Sequence, residues 1–252
     1  MAPALAASCL TVIGRGRMGW AIARALRQAD HSVDGPLGRD GKLARPDAIL
    51  LCVPDDQIAG VAADIAPGPI VGHCSGATGL EVLAPHPAFS LHPLTSIAGP
   101  AGALAAAENP FAGAPCAVAA GNGAAAVLAR RLAADLGMAA FVVADEDRAA
   151  YHAAASMASN FLVTVEAAAE RLADGVGGGR EMLVPLVRAT VENWATLGPL
   201  ALTGPIARGD EATVGRQREA VAQRAPDLLE LFDALTQATH SLAARALAAS
   251  VA

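Results

Sequence analysis

The sequence predicts an α/β protein in which an N-terminal doubly wound sheet domain is followed by an all-α C-terminal domain. Short apolar runs alternate with helical patterns over residues 1–144, and no strand pattern appears over residues 145–252. Strands that alternate with helices are typical of a parallel sheet covered by helices on both faces. We therefore expect two domains, 1–144 and 145–252.

A glycine-rich turn follows the first apolar run, at residues 10–13. Gly14, Gly16 and Gly19 fit the pattern G-x-G-x-x-G, and apolar residues then recur at helical spacing. In a Rossmann domain these glycines allow a tight turn, close approach of a pyrophosphate, and close packing of helix on strand. The context predicts dinucleotide binding, and the alternative is a glycine-rich turn without a ligand. The expected cofactor contacts here are Gly14, Arg15, Gly16, Arg17, Met18 and Gly19.

Later strands are predicted within the segments AILLCVP, PIVGHCS, AFSLHPL, PCAVAAG and FVVAD. In a doubly wound sheet, ligands bind beyond the carboxyl ends of the parallel strands. We therefore expect the residues that follow the first three of these strands to line the cofactor and substrate crevice. For the HCSG segment the alternative is an ordinary strand-to-loop turn. The expected cofactor contacts are Val53, Pro54, His73, Ser75 and Gly76, and the expected substrate contact is His92.

Four helices are predicted in the second domain. They cover residues 148–172, 181–197, 211–223 and 225–249. Apolar helical domains of this kind often pair between subunits, so we expect a homodimer formed through the helical domain.

Composition and charge argue against several classes of protein. The net charge of −6, without a basic patch that carries aromatic residues, argues against nucleic-acid binding. No run of roughly 18 apolar residues occurs, so no membrane span is expected. The N-terminus lacks the basic flank of a signal peptide, so a cytoplasmic location is expected. The four cysteines are widely spaced without a CxxC pair, so we expect no metal site.

The choice of nucleotide rests on the segment PLGRDGK. An acidic residue about 20 positions beyond the last glycine would bind the ribose hydroxyls of NAD, whereas an arginine there would suit the extra phosphate of NADP. Arg39 stands at this distance from Gly19, and Lys42 lies close by. We therefore expect NADP, with NAD left open because Asp40 is adjacent. The alternative for Arg39 is a solvated turn residue.

The segments VIGRGRMG, LLCVPDDQI, HCSGATG, LHPLTSI, AAYHAAASMASNFL and LTGPIARGD occur in this order. Together they resemble a family in which a Rossmann-like domain is fused to a helical domain of unknown function, number 2520. The resemblance covers nearly the whole chain and implies an NADP-dependent oxidoreductase with an uncharacterised substrate. The layout is also similar, more distantly, to pyrroline-carboxylate reductase, ketopantoate reductase and the 3-hydroxyacid dehydrogenases.

In the last two of these groups, the first helix of the second domain carries a lysine and, four residues on, an asparagine, both facing the nicotinamide. The resemblance matches this pair to Ser156 and Asn160. The asparagine is kept and the lysine is absent, and Lys42 is the only lysine in the chain. A lysine-based mechanism is therefore not expected.

A narrow polar stripe marks the first helix of the second domain. His152, Ser156 and Ser159 or Asn160 are separated by three or four residues, so they share one face of an α-helix. We expect this stripe to face the nicotinamide and the substrate, with Asn160 as an orienting amide. The alternative is that serine and asparagine mark close helix packing and that His152 is a hydrogen-bonded core residue.

Reduction of a ketone requires a proton donor to the developing alkoxide, whereas an iminium nitrogen already carries its proton. His152 is the expected donor, because an unperturbed imidazole titrates near neutral pH. His92 is the alternative acid. Tyr151, the only tyrosine, is expected to point about 100° away from His152 around the helix.

The segment TGPIARGD joins the second and third predicted helices. Arg208 is expected to clamp a substrate carboxylate, or else to pair with Asp210 while Asp210 caps the third helix. The sequence thus predicts an NADP-dependent oxidoreductase acting on a small keto or imino substrate, with a carboxylate allowed. The alternatives are a non-enzymatic dinucleotide-binding sensor or scaffold, and a reductase that exchanges hydride with a deazaflavin.

Overall fold

A computed structural model describes residues 9–38, 41, 46–99 and 109–251 of the chain. These residues include a seven-stranded sheet in the order β2-β1-β3-β4-β5-β6-β7. The strands are β1 (Leu10–Ile13), β2 (Val33–Leu37), β3 (Ala48–Leu51), β4 (Ile70–His73), β5 (Ala88–Pro93), β6 (Pro115–Ala120) and β7 (Ala139–Val142).

The first five strands run parallel, so their carboxyl ends share one edge of the sheet. The expectation of a parallel sheet is wrong for the last two strands, because β6 runs antiparallel to β5. Pro93 at the end of β5 pairs with Cys116 at the start of β6, so β6 begins at the edge where β5 ends. A parallel neighbour would instead need a crossover back to the opposite edge.

Helices cover both faces of this sheet, as a doubly wound fold requires. The helices are α1 (Arg17–Gln28), α2 (Asp55–Ala63) and α3 (Gly123–Asp135). Side chains of α1 and α3 pack in one buried cluster together with Leu50, whereas α2 packs in a second cluster together with Ile49 and Leu51. Successive residues of a strand point to opposite faces, so β3 contributes to both cores. The predicted α/β class is confirmed.

After β7, the described residues form helices and no strand. These helices are α4 (Arg148–Ser156), α5 (Leu162–Asp174), α6 (Arg180–Leu197), α7 (Glu211–Arg224) and α8 (Leu229–Val251). Their positions follow the prediction closely, except that residues 148–172 are not one regular α-helix. A π-helical segment, Met157–Phe161, separates α4 from α5. None of the described helices combines the length and apolarity needed to cross a bilayer.

The chain divides into two compact units, Met1–Ser159 and Asn160–Ala252. This division falls later than the end of the strand pattern at residue 144, on which the expected boundary was based. The reason is that α4 packs with the sheet, since Tyr151 contacts both His92 and Phe141. The helix that was expected to open the second domain therefore belongs to the first compact unit.

Candidate active site

The glycine loop between β1 and α1 combines two tightly packed positions with one open position. A Cβ on Gly14 would overlap the carbonyl oxygen of Cys52, and a Cβ on Gly19 would overlap the carbonyl oxygen of Gly14. Gly14 also has a positive φ of 122°. By contrast, nothing lies within 4 Å of the Cβ position of Gly16. The loop thus fits a dinucleotide: two glycines are needed by the fold, and the middle one leaves space for a pyrophosphate.

The N-terminus of α1 carries no group that competes with an anion. Gly16 occupies the N-cap without a side-chain hydrogen bond, and no acidic residue stands in the first turn. Free backbone N–H groups and the positive end of the helix dipole favour a phosphate at such a position. Arg15 and Arg17 are exposed beside the loop, whereas Met18 is partly buried and packs against the core.

The turn after β3 adjoins this loop. The Cys52 N–H donates to the carbonyl of Ile13, at 2.7 Å, and so fixes the turn against the end of β1. Val53 is half-buried against the second core cluster, and Pro54 takes the N-cap position of α2. Both expected cofactor contacts therefore lie at the carboxyl edge of the sheet, beside the glycine loop.

The loop after β4 is held by the Ser75 hydroxyl. This hydroxyl donates to a carboxylate oxygen of Asp55, at 2.7 Å, and accepts from the N–H groups of Ala77 and Thr78, at 3.2 and 3.0 Å. Ser75 is buried, with 7% of its surface exposed. Its hydroxyl is occupied by these internal bonds, so Ser75 supports the loop.

His73 supports the same loop from inside. It is fully buried, its Nδ1 accepts from the N–H of Ser75, and its Nε2 lies 3.2 Å from the carbonyl oxygen of Gly79. Because Nδ1 accepts, the proton must be on Nε2, which donates to the carbonyl. Burial lowers the pKa of His73 and keeps the ring neutral. The expected contact between the His73 side chain and a nicotinamide is therefore replaced by a structural role.

A cluster of aromatic side chains stands at the carboxyl end of β5. His92 Nδ1 lies 2.6 Å from the Tyr151 hydroxyl, with the two rings edge to face. The ring of His152 is 6.2 Å from that of His92, and Phe141 packs against Tyr151. Gly76 makes room for the imidazole, since a Cβ there would lie 2.8 Å from the His92 ring.

The proton state of this cluster follows from its burial. Burial, and then the neighbouring His152, lower the pKa of His92 to about 4, so His92 is neutral at pH 7. Burial raises the pKa of Tyr151 to about 12, so the phenol keeps its proton. A phenol is the better donor and an imidazole nitrogen the better acceptor, so Tyr151 donates to Nδ1. This bond fixes the remaining His92 proton on Nε2.

Two of these partners were missed or set aside by the sequence reasoning. Tyr151 was placed outside the site because it points away from His152, yet these two consecutive side chains both meet His92. No sequence motif marks Arg148 as a site residue, but its side chain is 7% exposed and its Nε donates to Asp145, at 2.7 Å. Its charge disfavours a proton on His73 and His92. The available sequence signal was the position of both residues at the start of the first helix after the sheet.

The expected polar stripe is altered by the π-helical segment. Ser156 is the last residue of α4, and Ser159 and Asn160 lie within the π segment. A π-helix has more residues per turn than an α-helix, so the spacing that put these residues on one face no longer holds. The Ser159 hydroxyl donates to the carbonyl of Ala155, at 2.7 Å. Asn160 is exposed and begins the second compact unit.

Arg208 lies in a single 3₁₀ turn, Ile206–Arg208, of the second unit and is exposed. Asp210 caps α7 by accepting from the N–H of Thr213, at 3.1 Å, and this interaction lowers the pKa of Asp210. The capping role of Asp210 is therefore confirmed. The ion pairs of the described residues do not include Arg208 with Asp210.

The thiols at this edge of the sheet are poor nucleophiles. Cys52 and Cys74 follow paired strands, and their sulfur atoms lie 3.6 Å apart. The hydrogen bond with Cys52, and then burial, raise the pKa of Cys74 well above its usual range. Burial raises the pKa of Cys116 to about 12. Because the thiolate is the reactive form, these two cysteines are inert near neutral pH. In the described part of the chain, no group of three metal-ligating side chains is arranged to hold an ion.

A shallow cleft of about 380 Å³ lies elsewhere on the first unit, between β6, α3 and the segment after β7. It is lined by Ala120, which pairs with Phe89 near the start of β5. The cleft therefore lies toward the opposite edge of the sheet from His92. It contains neither the glycine loop nor the histidines, and we assign it no part in the site.

The residues chosen for nucleotide preference, Arg39 with Asp40 and Lys42, lie outside the described residues. The expected role of Arg39 therefore stays a prediction.

Comparison with protein families identifies two matching models. A Rossmann-like domain matches residues 37–97, and the domain of unknown function DUF2520 matches residues 114–239. The chain belongs to the DUF2520 family. No curated protein is similar enough in sequence to be matched.

Several solved structures share the fold. A Bacteroides fragilis protein proposed to be an NADP oxidoreductase is 18% identical, with a TM-score of 0.79 over 93% of this chain and 98% of its own. A Streptomyces aurantiacus imine reductase is 16% identical, with a TM-score of 0.62 over 95% and 99%. Plasmodium falciparum pyrroline carboxylate reductase, solved with NADP bound, is 13% identical, with a TM-score of 0.55 over 94% and 98%. At these identities the likeness establishes the fold.

Proposed function

We propose that the protein is an NADP-dependent oxidoreductase that transfers hydride between the nicotinamide and a small keto or imino substrate. The observation that carries this proposal is the hydrogen-bonded pair of His92 and Tyr151 on the same sheet edge as the glycine loop. Proteins of the same fold named as an imine reductase and as a pyrroline carboxylate reductase with NADP bound support the cofactor and substrate classes.

The glycine loop and the N-terminus of α1 would hold the pyrophosphate, and the backbone beside Val53 and Gly76 would border the nicotinamide. When bound, NADPH supplies the hydride, and the protein must orient the substrate and manage one proton. The groups proposed to border the cofactor, together with His92, lie at the carboxyl ends of β1, β3, β4 and β5, where doubly wound folds bind ligands.

Neutral His92 suits the role of hydrogen-bond donor to a substrate carbonyl. Tyr151 donates to Nδ1, so the proton of the neutral ring is on Nε2. This Nε2–H group can donate a hydrogen bond to the carbonyl oxygen and stabilise the negative charge that develops there. Because burial lowers the pKa of His92 to about 4, the ring is neutral at pH 7, and we assign it this hydrogen bond in place of the acid role. We assign the proton donor to His152, half-buried beside it. An uncharged His92 also avoids repelling an iminium substrate.

The proposal is tested by titrating the purified chain with NADPH and NADH, followed by a screen of keto acids and cyclic imines. For a ketone, His152→Asn should lower kcat by about 10²- to 10⁴-fold, the range of general-acid catalysis, whereas an iminium should be reduced almost normally. His240→Asn, at a partly exposed histidine of the second unit, is the matched control. A chain that binds neither nucleotide contradicts the proposal and favours the deazaflavin or scaffold alternative.

We also propose that the second unit pairs with a second copy of the chain. Met182, Leu186 and Trp194 recur along α6 and are 51%, 65% and 63% exposed. A stripe of large apolar side chains is characteristic of a surface that another protein covers. Light scattering after size exclusion should give twice the chain mass, and Leu186→Glu should shift the equilibrium to monomer. An exposed arginine changed to glutamate, Arg216→Glu, provides the charge control.

A further inference from the structure

The side chain of Arg15 lies over the end of the neighbouring strand β2. A Cβ built on Gly38, the residue directly after β2, would lie 3.7 Å from Cζ of Arg15, 3.8 Å from Nε and 3.9 Å from Nη1. The guanidinium of Arg15 therefore lies on the side of Gly38 where a side chain would stand. The N–H of Gly14 donates to the carbonyl of Leu37, at 2.9 Å, which ties the glycine loop to the same strand end.

The charge of Arg15 is available to a ligand. Arg15 is exposed, and the ion pairs found among the described residues do not involve it. The first turn of α1 adds no carboxylate that would compete with a ligand. Gly38 itself adds no side chain beside the guanidinium.

In a Rossmann domain, the end of this strand is where the adenosine ribose binds. An acidic residue there binds the hydroxyls of NAD, and an arginine accommodates the 2′-phosphate of NADP. A guanidinium matches a phosphate especially well, because its planar set of N–H groups forms paired, charge-assisted hydrogen bonds.

We infer that Arg15 binds the 2′-phosphate of NADP and sets the preference for NADP over NAD. The inference rests on the proposed function, since it deepens the cofactor site. It differs from the expectation for Arg39, because it places the discriminating charge inside the glycine loop. A competing role for Arg15 is stacking on the adenine, which NADP and NAD share, and such stacking would give no preference.

The experiment compares four probes with the full chain: NADPH, NADH, adenosine 2′,5′-bisphosphate and adenosine 5′-monophosphate. Binding is followed by fluorescence for the dinucleotides and by competition for the nucleotides. Arg15→Ala should raise the Kd of NADPH and of the bisphosphate by roughly 10- to 100-fold, as expected for the loss of charge-assisted hydrogen bonds. The Kd of NADH and of the monophosphate should change less than about 2-fold.

Arg17→Ala is the matched control, because Arg17, the first residue of α1, is also exposed but is not among the atoms nearest to Gly38. It should alter the affinity for NADPH and NADH by similar factors. An equal loss of both dinucleotides in Arg15→Ala, or no loss, overturns the inference and leaves the proposed function standing. Loss of the preference in Arg39→Ala with its retention in Arg15→Ala also overturns it. If the unmodified chain binds neither dinucleotide, the proposed function fails together with the inference.

Discussion

The loops after β1 and after β4 lie on the same edge of the sheet but use their polar groups in opposite ways. In the glycine loop, the backbone N–H groups at the start of α1 have no side-chain cap, and the space around Gly16 is open. In the loop after β4, the polar side-chain atoms of Ser75 and His73 form hydrogen bonds within the protein. Buried polar groups must be satisfied within the protein, whereas a ligand site must leave some groups for the ligand. The first loop therefore leaves backbone N–H groups without a side-chain partner, as the proposed cofactor site requires, whereas the second uses its polar groups to fix its own shape.

The largest effect should come from the packed glycines of the first loop. Gly19→Ala would press a methyl group into the carbonyl of Gly14, and the backbone cannot move aside cheaply. We expect a loss of about 3 kcal/mol or more in the free energy of unfolding, measured with urea. Gly16→Ala has open space, so its stability should change by less than about 1 kcal/mol while its affinity for NADPH falls. Equal stability of the two variants would remove the distinction between packed and open positions.

Acid should destabilise the first unit through its histidines. The folded-state pKa values of His92, about 4, and of His73 are lower than that of a free imidazole, so the unfolded chain binds more protons between about pH 4 and 6.5. The share of the free energy of unfolding that depends on these histidines is thus fully present above about pH 6.5 and is lost as the pH falls toward 4. His92 should account for at most about 3 kcal/mol.

Urea unfolding at pH 7.5 and at pH 5 measures this loss. His92→Asn should reduce the difference in the free energy of unfolding between the two pH values. His240→Asn in the second unit should leave that difference unchanged. An unchanged pH dependence in His92→Asn would show that the aromatic cluster does not keep His92 neutral.

A smaller effect is expected for the support of the second loop. Ser75→Ala removes the hydroxyl that joins Asp55 to the N–H groups of Ala77 and Thr78, and should cost about 1–3 kcal/mol. Because this hydroxyl is not available to a ligand, the Kd of NADPH should stay within about 2-fold of its original value. A large loss of affinity at unchanged stability would instead move Ser75 from the supporting loop to the binding site.

The smallest structural effect should come from Tyr151→Phe, which keeps the ring packing on Phe141. Loss of one hydrogen bond to His92 should cost about 1 kcal/mol. Its effect on ketone reduction should be larger, because the proton of His92 is then free to move from Nε2 to Nδ1. A histidine NMR spectrum that reports the same tautomer in both proteins would contradict this positioning role.

Local patterns in the sequence determined most of the fold. The apolar run before Gly14, the glycine spacing and the helical periodicity each depend on residues within a few positions of one another, so they can be read without the tertiary structure. For the same reason the helices after residue 145 were predicted almost to their ends. The π-helical segment escaped prediction because the sequence Met157–Phe161 carries no proline or glycine to mark it.

Only the tertiary structure decided the direction of β6 and the partners within the site. The bond between His92 and Tyr151 joins residues 59 positions apart, and the bond from Ser75 to Asp55 spans 20. Such contacts depend on the strand order and on how α4 packs against the sheet, which no local periodicity encodes. The sequence by itself indicated the glycine loop and both histidines of the cluster. The tertiary packing decided which polar groups remain available to a ligand, because it determines which of them already form hydrogen bonds with residues distant in the sequence.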